Sequence, residues 1–153
     1  MLLVLSSDAV SSSKATEPPR RALELLEQAR VGHLGMLDSE GGPRVLPVTF
    51  ALAEGRIWSA VDRKPKSVEG EELARLRFLR RDPRAALTVD RYSDDWAQLA
   101  WVQALGRVEI VAAEEAATAL EALARKYEQY VEPPPGPLLA LRPERWISWS
   151  ATD

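Results

Sequence analysis

Three short apolar runs crowd residues 31–61, separated by Ser39-Glu40-Gly41-Gly42 and by Ala53-Glu54-Gly55. Runs of this length bounded by glycine turns are strands, and connections this short join only antiparallel neighbours. Residues 31–37, 44–52 and 56–61 are therefore expected to form an antiparallel meander that the rest of the chain must complete.

Further strands are expected at 85–89, at 99–111 with Gly106 as a bend or bulge, and at 138–150, the last one kinked. Pro18 and Pro19 open a helix whose Ala22, Leu23, Leu25, Leu26 and Ala29 form an apolar face. A second helix is expected over 71–81, with Leu73, Leu76 and either Phe78 or Leu79 turned inward, and Asp82-Pro83 stops it. Alanine, leucine and glutamate predict a third over 114–130, and the proline-rich 133–137 makes a stiff connector to the last strand. Six strands and three helices indicate a mainly β, α+β fold: a six-stranded antiparallel barrel with helices packed on it. Residues 1–17, serine-rich and aperiodic, are expected to be a flexible arm ahead of one domain, 18–153.

Composition narrows the function classes. The 153-residue chain is 46% hydrophobic and 28% charged, enough to bury one core. Its net charge of −3 argues against a general nucleic-acid binder, which needs a broad basic excess. With no cysteine, thiolate catalysis and iron–sulfur chemistry are excluded, and one histidine without an HExxH spacing builds no zinc site, so no metal is expected. The opening Met1-Leu2-Leu3-Val4-Leu5 is too short for a signal segment and no run has membrane-spanning length, so a cytoplasmic location is expected.

Charge is unevenly placed. Residues 63–84 hold Arg63, Lys64, Lys66, Arg75, Arg77, Arg80, Arg81 and Arg84 against Glu69, Glu71, Glu72 and Asp82. A strand end that presents Lys64 and Lys66 beside free backbone N–H groups can hold a phosphate. The same two lysines read equally well as solvated surface charges. The local basic excess suits a small anionic ligand better than a polymer.

Taken in order, the segment 31–50 (VGHLGMLDSEGGPRVLPVTF), the strand with its Lys64-Pro65-Lys66 loop, the helix ending in residues 78–90 (FLRRDPRAALTVD) and the late strand 143–151 (PERWISWSA) resemble the pyridoxamine 5′-phosphate oxidase-like, FMN-binding split barrels. Pairing of that lysine loop with Asp90-Arg91-Tyr92-Ser93-Asp94-Asp95-Trp96 is similar to the actinobacterial branch of probable F420-dependent oxidoreductases. The resemblance implies a homodimeric split barrel with cofactor clefts between subunits. It places the backbone of Val45, Leu46, Pro47 and Val48 along the tricyclic ring, Ser59, Ala60 and Val61 near the ribityl chain, and Lys64 and Lys66 on the phosphate. It implies F420 as cofactor, with FMN the alternative, and hydride transfer to a small conjugated organic substrate. Such a reaction needs no protein nucleophile, and no catalytic residue is assigned. The tail, 141–153 (LRPERWISWSATD), lacks the arginine–histidine substrate motif of the pyridoxamine oxidases proper, so vitamin B6 phosphate oxidation is not expected. The acidic stretch 68–72 (VEGEE) also departs from the family's phosphate loop.

Other conspicuous residues are expected to be structural. His33 reads as a partly buried strand histidine with a satisfied ring nitrogen rather than a haem ligand or base. Trp58, Trp146 and Trp149 are expected in the core, while Trp96 and Trp101 follow an acidic turn and are candidates to border the ring cleft. Tyr127 and Tyr130 are expected to cap and pack, Asp94-Asp95 to form a turn, and the arginines of 80–84 to oppose a helix dipole.

Overall fold

The computed structural model describes residues 10–13, 17–61 and 69–152. The elements run β1 (Val10–Ser13), α1 (Arg20–Gln28), β2 (Gly32–Leu37), β3 (Pro43–Val48), β4 (Ala51–Ala53), β5 (Arg56–Ala60), α2 (Glu69–Arg81), β6 (Arg84–Arg91), β7 (Ala100–Val111), α3 (Ala117–Lys126) and β8 (Leu138–Ser150). All pairings are antiparallel, in the order β3-β2-β6-β7-β8-β5-β4, with β1 on β8.

That order explains the barrel. β3 and β4 lie at opposite ends of the path, yet only Thr49 and Phe50 separate them in sequence. Two residues span about 7 Å, so the sheet must curl until its two edges nearly meet. The result is an open, curled antiparallel sheet of split-barrel type. β8 supplies the split: one edge runs along β7 throughout, while the other pairs with β5 over Leu138 to Leu141 and with β1 over Trp146 to Trp149.

Among the described residues eight strands replace the six expected. The predicted strand 44–52 is two, because Thr49 and Phe50 turn the chain from one edge to the other. The expected meander is instead two hairpins, β2–β3 and β4–β5, at opposite ends of the path. Val10–Ser13, within the stretch expected as an arm, pairs with β8. In the β4–β5 turn Glu54 (φ 53°) and Gly55 (φ 70°) both take left-handed dihedrals, the turn whose twist matches a tight hairpin. Gly106 marks the expected bulge: the β7–β8 register shifts there, and a Cβ would collide with the Arg142 carbonyl.

Two apolar clusters hold the fold. Inside the barrel, Leu34, Met36, Phe50, Val89, Val102, Leu139 and Trp146 pack with Leu25 and Leu26 of α1 and with Leu76 and Leu79 of α2. The side chain of Leu73, also expected inward, lies outside the described residues. Outside β4, β5 and β8, α3 packs Ala119, Ala122 and Leu123 on Ala51, Trp58, Ala60 and Ala140. Small side chains let the helix approach the strands closely. The expected helix over 114–130 is α3 flanked by single 3₁₀ turns. At its end Tyr127 adopts extended dihedrals (φ −132°, ψ 122°) because its side chain is held elsewhere in the fold.

Candidate functional site

β3 pairs only with β2, so its other edge carries no strand among the described residues. Alternate N–H and C=O groups along that edge are left without ladder partners. Pro47, which has no N–H, is tolerated because the strand is an edge. Within Val45, Leu46, Pro47 and Val48, side chains alternate: Val48 is buried in the barrel and Leu46 packs against it, while Val45 (65% exposed) and Pro47 point outward. What the four residues offer together is therefore their backbone.

The β4–β5 ladder ends at Ala51–Trp58, so Ser59 and Ala60 continue beyond the last pair on that side. This is the seam left by the β3–β4 bend. Ser59, Ala60 and Val61 are all buried, but they differ in use. Ala60 faces α3, and Val61 faces the barrel while its N–H donates to the Pro137 carbonyl at 3.4 Å. Ser59 lies two residues from Ile57 and from Val61 and so shares their inward face, and its Oγ has no partner among the described residues. A buried hydroxyl left unpaired costs free energy that a ligand hydrogen bond recovers. A polar ligand group fits that position. Lys64 and Lys66 lie outside the described residues.

The bend at the seam is held from a distance. Phe50 N–H donates to the Tyr127 hydroxyl at 3.1 Å, and that hydroxyl faces the carbonyls of Arg30 (2.9 Å) and Phe50 (3.1 Å). Thr49 Oγ1 and Tyr130 Oη are 2.7 Å apart. Burial pushes the Tyr127 phenol up, which keeps it a neutral donor. Lys126 Nζ sits 3.8 Å from the centre of the Phe50 ring and donates to the Leu26 carbonyl at 3.0 Å. Burial first, and the Arg30 charge second, lower its pKa to about 8. The expected packing role holds, since both rings are buried in the α3 cluster, but their hydroxyls do what that role does not include: they carry the hydrogen bonds of a bend without ladder partners. Nothing local signals it, because 77 residues separate Tyr127 from Phe50.

Several expected residues stand elsewhere. Trp96, 56% exposed, lies at the tip of the β6–β7 hairpin, and the sheet order puts β2 between it and β3. Asp95 caps its 3₁₀ turn, accepting from Ala97 N–H at 3.1 Å, which is the turn expected there. Trp58 and Trp146 are buried as expected; Trp149 is only half-buried and pairs across strands with Trp101. Trp101 alternates with the buried Val102, so this pair is on the outer sheet face. His33 is exposed rather than partly buried, on the same face between Pro47 and Thr88, with no ring hydrogen bond among the described residues. Strand alternation sets this, since Leu34 and Met36 take the core.

The outer face forms a continuous cross-strand row of Pro47, His33, Thr88, Gln103, Ile147 and Ser12. Beside it, an open groove of about 550 Å³ runs from Val45 past Gly35 to Leu105 and Arg145. Among the described residues no helix is long and apolar enough to cross a membrane.

Residues 19–150 match the family model described as pyridoxamine 5′-phosphate oxidase. Solved structures with the same fold include a conserved hypothetical protein from Mycobacterium tuberculosis (21% identity, TM-score 0.69, covering 87% of this chain and 85% of that one). A heme-binding protein from Mycobacterium smegmatis is 24% identical, with TM-score 0.64 over 85% of this chain and 56% of that one. A FAD-binding protein from Mesorhizobium loti is 19% identical, with TM-score 0.60 over 92% and 99%. No curated protein matches the sequence.

Proposed function

The chain belongs to the pyridoxamine 5′-phosphate oxidase family, and from that premise we propose that it is an oxidoreductase using F420 to reduce a small conjugated organic molecule. The observation that carries this reading is Ser59: a buried hydroxyl without a partner among the described residues, at the seam where β3 presents a backbone edge with no strand on it among them. Backbone donors and acceptors on β3 orient the edge of a planar ring, and Ser59 pairs with a hydroxyl or carbonyl of its side arm. Lys64 and Lys66 serve the phosphate in this reading. When bound, F420 supplies a hydride from its deazaflavin ring, while the protein supplies position and exclusion of water.

F420 is preferred over FMN because the chain ahead of β6 is rich in arginine, with Arg77, Arg80 and Arg81 exposed at the end of α2. F420 carries an acidic tail beyond its phosphate, and FMN does not. The FAD-binding relative keeps a flavin as the second reading. A carrier that binds F420 without turnover is the third.

The outer sheet face supports a homodimer. Val45 is 65% exposed on that face at β3, and Ile147, Trp101 and Trp149 are half-buried on it at β7 and β8, with β2 and β6 between the two groups. A second copy seated on this face would cover those side chains and close the clefts along β3. Sedimentation of the wild type as a dimer and of Ile147→Asp as a monomer is expected; a wild-type monomer removes this part of the reading.

The deciding experiment is a fluorescence titration of the purified protein with F420 and, separately, FMN. Micromolar or tighter F420 binding with clearly weaker FMN supports the reading, and hydride transfer to a substrate panel then separates enzyme from carrier. Preference for FMN moves the chemistry to a flavin enzyme. Failure to bind either retires the cofactor reading.

A further inference from the structure

We propose that the cavity beneath α1 is a second ligand site, specific for a phosphate monoester dianion and separate from the β3–β5 seam. β8 changes character along its inner face. Trp146 on that face is buried and apolar, but the next two inward positions are Ser148 and Ser150. Their register confirms the direction: Ser148 pairs with the buried Val102, and Trp146 with the buried Ala104. On the other edge of β8, Ser11 of β1 pairs with Ser148. Three hydroxyls thus share the inward-facing side of the sheet at its β1–β8 end, Ser148 and Ser150 half-buried and Ser11 exposed, where the alternation that built the rest of the core continues into polar side chains.

α1 lies across this patch without filling it. A cavity of about 510 Å³ remains, lined among others by the three serines and by Arg20, Arg21 and Arg91, with Glu24 the single acid among the described lining residues. The described lining residues therefore carry a formal excess of two positive charges, three arginines against Glu24, the complement of a dianion. Arg91 is oriented by its Nε–H, which donates to the Gln98 carbonyl at 2.9 Å, and its other N–H groups have no partner among the described residues. Arg21 is tied to the chain end through the Thr152 carbonyl at 2.6 Å. Guanidinium forks and hydroxyl donors are the set that recognises phosphate oxygens. The volume exceeds that of a lone phosphate and falls in the range of small-molecule sites, so an organic group attached to the phosphate has room.

The site is separate from the seam, because Ser59 pairs with Leu139 while the cavity is lined by Ser148 and Ser150, nine and eleven residues further along β8. Its test therefore uses no redox cofactor. Isotope-labelled full-length protein is titrated with phenyl phosphate, with inorganic phosphate, and with phenol, following backbone amide shifts. Saturable shifts at Ala22, Ser148 and Ser150 with both phosphates and none with phenol are expected, phenyl phosphate binding at least as tightly. Arg91→Gln and Ser148→Ala should each weaken binding about tenfold, with amide shifts elsewhere unchanged to show an intact fold. Phosphate binding that both variants retain at wild-type affinity overturns the proposal. So do shifts confined to other parts of the chain, or phenol binding as well as phenyl phosphate.

Discussion

The two halves of the sheet are buried differently. β5 and the first four residues of β8 are covered on both faces, by the barrel core on one side and by α3 on the other. β2, β3, β6 and β7 bury the inner face and leave the outer one open, so buried and accessible positions alternate. Doubly covered strands read as unbroken apolar runs, as Leu138-Leu139-Ala140-Leu141 does; singly covered strands alternate. The comparison shows where a polar side chain is conspicuous. On the open half, Thr88 and Gln103 bond to each other at 3.1 Å as ordinary surface residues. In the doubly covered half, Ser59 has no partner among the described residues and is the exception there.

The largest expected effect breaks the doubly covered half. Leu139→Ala removes a side chain that is 2% exposed and should cost about 2–5 kcal/mol. Val45→Ala on the open half should cost less than about 0.5 kcal/mol. Urea unfolding of both variants measures the contrast, and equal losses would mean the open face is buried in the isolated protein.

Next comes the bend that joins the halves. Tyr127→Phe keeps the ring and removes the hydroxyl that serves Phe50 and Arg30, at an expected cost of about 1–3 kcal/mol. Faster hydrogen exchange at the Phe50 amide than at neighbouring β5 amides would trace the loss to the bend.

Ser59→Ala sharpens the comparison through opposite signs. Folding stability should hold or rise by up to about 1 kcal/mol, because an orphan hydroxyl is gone. Cofactor affinity should fall several-fold. A matching fall in stability would show that the hydroxyl has a structural partner instead.

The smallest effect is electrostatic. Lys126 titrates at about 8 in the folded protein, against about 10.4 for an exposed lysine. Between those values the unfolded chain holds a proton that the folded chain has released, so stability should climb from pH 8 to pH 10. Solvent screening of the half-buried amine keeps the gain to about 1 kcal/mol or less. Above pH 10 the slope should reverse, since burial keeps Tyr127 protonated when its unfolded counterpart ionises. Lys126→Met should flatten the rise; an unchanged profile would assign it to another group.

Much of this molecule was legible in the residues. Glycine turns placed both hairpins, and Asp82-Pro83 and Gly106 marked the helix stop and the bulge, because turns and breakers act on their own backbone. Pro47 also carried a signal that went unread: a proline in a strand demands an edge, and β3 is one. The site was less legible. The order of motifs pointed to β3 and β5, but not to Ser59 as a buried side chain without a partner among the described residues, nor to His33 and Trp149 lying on the outer face. Which side of a strand is covered depends on what packs there, and a sequence states only the alternation.

The sequence by itself determined the local elements and the family, since hydrophobic period, turn chemistry and motif order are properties of neighbouring residues. Tertiary structure alone decided the break of the 44–52 strand at Thr49 and Phe50, the shortening of α3, and the serine cavity beneath α1. Each depends on contacts between residues far apart in the chain, as between Tyr127 and Phe50 or Ser11 and Ser148. Such contacts exist only after the sheet has curled and brought its edges together.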